Sequence, residues 1–145
     1  MAQYVMGVDN GGTVIKAALF RLDGTEAAVA SRQTPVSSPR PGYQERDMEE
    51  VWQKNCACIR QVLEQSGVSP QEVAALAVCG HGKGLYLWGK DGKPARPGIA
   101  STDNRAWSYP LRWRESGVFD RLYPQLCQQQ LACQPSALLA WIKEH

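Results

Sequence analysis

Apolar and polar positions alternate in short blocks through the first third of the chain, and each block predicts an element. YVMGVD, from Tyr4 to Asp9, is a strand-length apolar run that meets a turn at Asn10-Gly11-Gly12. VIKAALFRLDG resumes the strand pattern at Val14 before a second turn at Asp23-Gly24, after which EAAVASRQTP supplies a third candidate strand, weakened by its alanines and the prolines at 35, 39 and 41. Three antiparallel strands joined by tight turns are expected.

The pattern then changes to a helical one. Residues 35–46, PVSSPRPGYQER, form a polar connection, and Asp47 followed by Glu50 predicts a helix start. Met48, Val51, Trp52, Cys56, Ile59, Val62 and Leu63 recur near helical spacing and predict an apolar stripe that ends at Gly67. Ser69-Pro70-Gln71-Glu72 predicts a short capped turn. VAALAVCG, from Val73 to Gly80, has the continuous apolarity of a strand covered on both faces, a signature that a buried helix shares. Beyond it, LYLW is expected to be a strand joined across KDGKP to an extended segment ending at Ile99, and PSALLAWIKEH reads as a terminal helix. Trp52 and Trp141 fall on apolar helical positions, which predicts core packing for both, with Trp88, Trp107 and Trp113 as partly buried supports.

Composition narrows the functional classes. The chain has 145 residues, 43% hydrophobic and 21% charged, which suits one folded domain and excludes a disordered or collagen-like chain. Sixteen Lys and Arg against fourteen Asp and Glu leave a net charge of +2 without a basic tract, so nucleic acid is not an expected partner. No apolar run approaches a membrane span, and the start lacks a secretion signal, which predicts no membrane association and a cytoplasmic protein. Five cysteines at irregular spacing lack the paired pattern of a zinc site and predict free, mostly buried thiols.

Three segments concentrate chemistry. In Asp9-Asn10-Gly11-Gly12-Thr13, close glycines bare backbone N–H groups to phosphate oxygens, Asp9 is a candidate to hold a metal through water, and Lys16 lies within reach of a phosphate. The same residues also make an ordinary turn, and neither the Walker nor the dinucleotide glycine spacing is present. Gly80-His81-Gly82-Lys83-Gly84 permits close approach of a hydroxylated or phosphorylated ligand to His81 or Lys83. Ser101-Thr102-Asp103-Asn104-Arg105 gathers donors and acceptors after an extended segment; Asp103 suits sugar hydroxyls and Arg105 its carboxylate, while Thr102 or Asp103 also suits a helix cap.

Taken together, VMGVDNGGTVIKAALF, PGYQERDMEEVW, AVCGHGKGLYLWGKDGKPARPGIASTDNRA and SALLAWIKEH resemble the N-terminal domain of the FGGY carbohydrate kinase family across nearly the whole chain. The resemblance implies an α/β fold of the ribonuclease-H-like, actin-like ATPase class, with a mixed sheet flanked by helices and residues 1–145 as one kinase N-terminal domain. It maps Asp9 onto a metal-associated aspartate, Gly11, Gly12, Thr13 and Lys16 onto a phosphate-binding motif, and His81, Lys83, Asp103 and Arg105 onto sugar-binding segments. Lys83 stands where many family members carry a histidine, and Ser101 and Thr102 replace an aromatic residue and an amide.

The implied activity is ATP- and Mg2+-dependent phosphorylation of a ketopentose such as xylulose or L-xylulose. The alternatives are a kinase for another polyol or ketose, or a noncatalytic carbohydrate-binding module descended from one. Phosphoryl transfer also needs a carboxylate near the attacking hydroxyl. The resemblance places that base, with the adenine-binding surface, in a C-terminal nucleotide-binding domain outside this chain, so no residue of the chain is assigned as catalytic. Glu45 and Asp47 are expected to organise the loop and cap the helix. A terminal helix left exposed would make Leu138, Leu139 and Trp141 the candidates for homo-oligomer contacts.

Overall fold

The computed structural model describes residues 3–145. Two compact units divide the chain, and neither is contiguous: the first takes residues up to Pro35 and Met48–His81, the second Val36–Asp47 and Gly82–His145.

The first unit is a four-stranded sheet with a helix. Strands β1 (Tyr4–Asn10), β2 (Val14–Arg21) and β3 (Glu26–Gln33) form the expected antiparallel set, and β5 (Val73–Gly80) returns parallel to β1, giving the order β3-β2-β1-β5. This is the mixed sheet that the sequence predicts. Period-2 alternation decides which side is buried: Tyr4, Met6 and Val8 of β1 and Ile15, Ala17 and Leu19 of β2 are all below 9% exposed, and they share one face. Helix α1 (Met48–Ser66) seals that face with Cys58 and Val62, both 0% exposed, and with Val51, Ile59 and Leu63. Burying a side chain of this size stabilises by about 1.5–3 kcal/mol, so these few contacts fix the register of helix on sheet. At its N-terminal end α1 is pinned to β3, since Lys54 Nζ donates to the Gln33 carbonyl at 2.7 Å. The predicted cap forms as well: Glu72 accepts the Ser69 N–H at 3.1 Å over the 3-10 turn Pro70–Glu72.

Two expectations fail here. Strand β5 is extended, yet everything in it after Val73 is exposed, with Leu76 at 49% and Val78 at 66%. It pairs only with β1, and α1 lies over β2 and β3, so the partners that its composition anticipates are not supplied by the described residues. Trp52 is 61% exposed rather than in the core, because the buried arc of α1 runs through Met48, Cys58 and Val62.

The second unit holds a small core of Leu85, Ile99, Ala106, Tyr109, Ala137 and Leu138. Around it lie the two-stranded pair β4 (Glu45–Arg46) with β6 (Gly98–Ile99), and helices α2 (Ser108–Glu115), α3 (Val118–Leu126) and α4 (Pro135–Glu144). Leu85–Trp88 forms only isolated bridges, Leu85 to Ile99 and Trp88 to Pro94, because Gly89 and Asp91-Gly92 turn the chain before a ladder can grow. Trp88 and Trp107 are exposed, and Trp113 packs against Tyr109. Of the five free thiols, only Cys58 and Cys133 are buried, fewer than the irregular spacing predicts. No helix among the described residues is long and apolar enough to cross a membrane.

Candidate functional site

In the first unit the candidate site is the β1–β2 turn. Asp9 is the penultimate residue of β1 and pairs across the ladder with Lys16 of β2, and strand alternation puts both on the face opposite α1, where both are exposed. They line an open recess of about 520 Å³ with Gly7, Ala18, Val29 and Cys79. No ion pair joins Asp9 to Lys16, so a carboxylate and an ammonium stand side by side with their charges available. The turn between them is built for bare backbone. A Cβ at Gly11 would overlap the Val14 carbonyl oxygen, so only glycine fits there without moving the turn. Gly12 lies beside His81, whose side chain would meet a Cβ on Gly12 at 3.7–3.9 Å. Around this core, the His81 N–H donates to the Asn10 carbonyl at 3.3 Å, the Thr34 N–H to the Thr13 carbonyl at 2.9 Å, and Asn55 Nδ2 to Asn10 Oδ1 at 3.3 Å. Asn55 lies in the middle of α1, where no sequence pattern singles it out.

Among the described residues no three His, Cys, Asp or Glu side chains gather into a metal cluster, and Asp9 shares its recess with one other carboxylate, Glu26. That agrees with Mg2+, which keeps several waters and takes one or two carboxylates plus phosphate oxygens.

The second unit carries the other candidates. Gly82-Lys83-Gly84 leaves β5 in a turn where Lys83 has φ 66° and Gly84 φ 75°. A left-handed lysine costs about 1 kcal/mol relative to glycine, so the side chain is kept at some expense to the fold. Gly84 anchors the turn: its N–H donates to the Cys133 carbonyl at 2.8 Å, and a Cβ would sit 2.6 Å from the Ile99 carbonyl oxygen and 3.3 Å from the Ser101 nitrogen. The Lys83 backbone is therefore held next to the segment that begins at Ser101.

Asp103 and Arg105 come together inside that segment rather than on its surface. Their side chains are 0% and 1% exposed. Arg105 Nε donates to both Asp103 oxygens at 3.0 Å, and one terminal nitrogen donates to Asp103 Oδ2 at 2.9 Å and to Glu45 Oε1 at 2.8 Å. Asp103 also accepts the Gln44 N–H at 2.7 Å and the Arg105 N–H at 2.9 Å. The guanidinium lies 4.1 Å from the Tyr43 ring centroid and 5.3 Å from that of Trp141. Burial alone would depress its pKa, but the bonds from Asp103 and Glu45 outweigh that and hold Arg105 above the ordinary arginine value. The arrangement joins loop 42–45 to loop 100–105 and to α4. It leaves Asp103 no free oxygen for a sugar and caps no helix, since α2 begins at Ser108.

A mixed sheet whose first hairpin closes on a glycine turn, with an acidic residue at the end of its first strand, places the molecule among sugar kinases of the actin-like ATPase fold. The xylulose kinase from Rhodospirillum rubrum superposes with a TM-score of 0.91 at 29% identity, over 99% of this chain and 29% of that one. The chain belongs to the FGGY family of carbohydrate kinases, matching its N-terminal domain over residues 4–145. Its relatives include the L-xylulose/3-keto-L-gulonate kinase of Escherichia coli (strain K12), 42% identical over 145 residues. A probable L-xylulose kinase of Pasteurella multocida (strain Pm70) is 41% identical over 142 residues. The chain spans 29% of the length of each of these two relatives.

Proposed function

We propose that this chain is the phosphate- and sugar-facing N-terminal part of an ATP-dependent ketose kinase, with L-xylulose as the favoured substrate. The observation that carries the reading is the β1–β2 turn, where Gly11 admits no side chain and Asp9 and Lys16 stand exposed on one face. The 42% identity to a kinase named for L-xylulose supports the choice of sugar.

In this reading the backbone of Gly11, Gly12 and Thr13 approaches phosphate oxygens, and Lys16 adds a positive charge beside them. Asp9 would hold a magnesium ion, and that ion, when bound, would neutralise charge on the transferring phosphoryl group. His81 and Lys83 contact the sugar. Asp103 and Arg105 act as positioning residues that hold the loop starting at Ser101. The base that receives the hydroxyl proton and the adenine site belong to a C-terminal domain outside these 145 residues. The shortfall in length against the relatives supports that assignment, as does the uncovered apolar strand β5.

The test is sugar-dependent ADP release from the product of the intact reading frame, across pentuloses, polyols and sugar acids, beside the 145-residue chain alone. Turnover by the intact protein and none above background by the short chain is the expected result. No sugar-dependent release from the intact protein sinks the kinase reading, and turnover by the short chain at the intact rate sinks the division of labour.

A further inference from the structure

Lys83 makes no ion pair among the described residues. Its side chain is exposed, and from Val73 to Lys90 the sequence holds no Asp or Glu. An unneutralised ammonium on a residue held at φ 66° between two glycines is an unusual choice for a turn, where glycine or asparagine would meet the backbone demand with less strain. Nor is the turn loose. The Gly84 N–H bond to the Cys133 carbonyl and the absence of room for a Cβ on Gly84 against Ile99 and Ser101 hold the backbone next to Lys83 against the segment where Ser101 and Thr102 carry two hydroxyls. An ammonium carried on a constrained backbone near a hydroxyl-bearing segment suits a carboxylate, whereas a neutral polyol needs donors and acceptors but no net charge.

We propose that Lys83 is a specificity-determining residue that binds the carboxylate of a sugar-acid substrate, a keto-aldonate, which this site accepts alongside a neutral pentulose. The proposal rests on the kinase reading above. It extends that reading by assigning the charge of one substrate class to one side chain, with Ser101 and Thr102 as its neutral companions. A phosphate oxygen of the nucleotide presents the same chemistry, and the kinetics separate the two sources.

The test measures KM and kcat of the intact protein for L-xylulose, for 3-keto-L-gulonate and for ATP, in the parent and in Lys83→Met, Lys83→Arg and Lys83→Gly. Deleting a charge-assisted hydrogen bond without replacing it raises KM for the sugar acid roughly 10- to 100-fold. KM for the pentulose should rise less than KM for the acid, KM for ATP should stay within about threefold, and Lys83→Arg should retain most of the acid preference. Lys83→Gly should lose that preference while its melting temperature rises, because glycine relieves the left-handed backbone. Equal changes for both sugars, a change confined to ATP, or no change at all overturns the proposal. Turnover of the pentulose with none of the acid by the parent protein also overturns it, and leaves the kinase reading standing. No turnover of either sugar removes both.

Discussion

Replacing Arg105 by methionine should be the most damaging single change in the second unit. Methionine keeps much of the volume between Tyr43 and Trp141 but deletes the cation that two carboxylates share. Removing one partner from a buried ion pair costs about 3–5 kcal/mol, because the other charge stays buried without compensation. Two features place this case near the lower bound. Glu45 is 17% exposed and can turn to water, and Asp103 keeps the N–H of Gln44. A loss of about 3 kcal/mol follows. With a urea slope of about 1–3 kcal/mol per molar, the unfolding midpoint falls by roughly 1–3 M. The assay is urea unfolding followed by tryptophan fluorescence, in which Trp141 reports directly because its ring flanks the deleted group. Converting Asp103 to Asn in the same chain should recover part of the loss, since a neutral amide tolerates burial better than an unpaired carboxylate. A midpoint within about 0.3 M of the parent for Arg105→Met would show that the buried cation contributes little, and strictly additive single and double variants would show that Asp103 and Arg105 are not coupled.

Gly11→Ala should destabilise by about 1–3 kcal/mol, the range for overpacking, because its Cβ would overlap the Val14 carbonyl, whereas Gly7→Ala, with nothing within 4 Å, should stay within about 0.5 kcal/mol. Thermal melts of both variants check the contrast, and equal melting temperatures would contradict it. Thiol labelling of the native protein should modify Cys79 and Cys127 quickly and Cys58 only on unfolding, because Cys58 is 0% exposed and burial raises its pKa. The sign of the linked pH effect is fixed. A thiol held protonated in the fold favours the native state until the unfolded thiol ionises, so stability should decline as pH rises through about 8.5. Titrating the parent against Cys58→Ala by urea unfolding at about pH 7 and about pH 9, either side of that value, measures the decline, which should be absent in the variant.

The first unit is legible in the sequence because its signals are local. The alternation in β1 and β2, the turn at Asn10-Gly11-Gly12 and the stripe of α1 each lie within one window of sequence, and the structure repeats them within a residue or two. What escapes depends on distance along the chain. The composition of Val73–Gly80 records the surroundings a strand is suited to, and not which of them a given stretch of chain supplies. Asp103 and Arg105 stand out as a pair from their spacing, but Gln44 and Glu45, some 60 positions away, draw both side chains inward from the surface that the local motif suggests. The helical period of Trp141 points to a core, and nothing nearby in sequence announces the arginine it flanks.

The interleaving of the two units has a consequence for synthesis on the ribosome. Strand β4 emerges early and has only its local bridge from Glu45 to Ser37 until Gly98–Ile99 arrives, and the sheet of the first unit stays open on one side until Val73–Gly80 is made. The hairpins β1–β2 and β2–β3 can close while the chain is still growing, but β4 must wait for about 50 further residues, a loop whose closure entropy delays its pairing. Because the chain passes from one unit to the other and back, no single cut separates them. Truncation series on this protein should therefore yield abrupt losses of solubility near residue 138, where the core of the second unit ends, and near residue 80, where β5 ends, instead of a gradual decline with length.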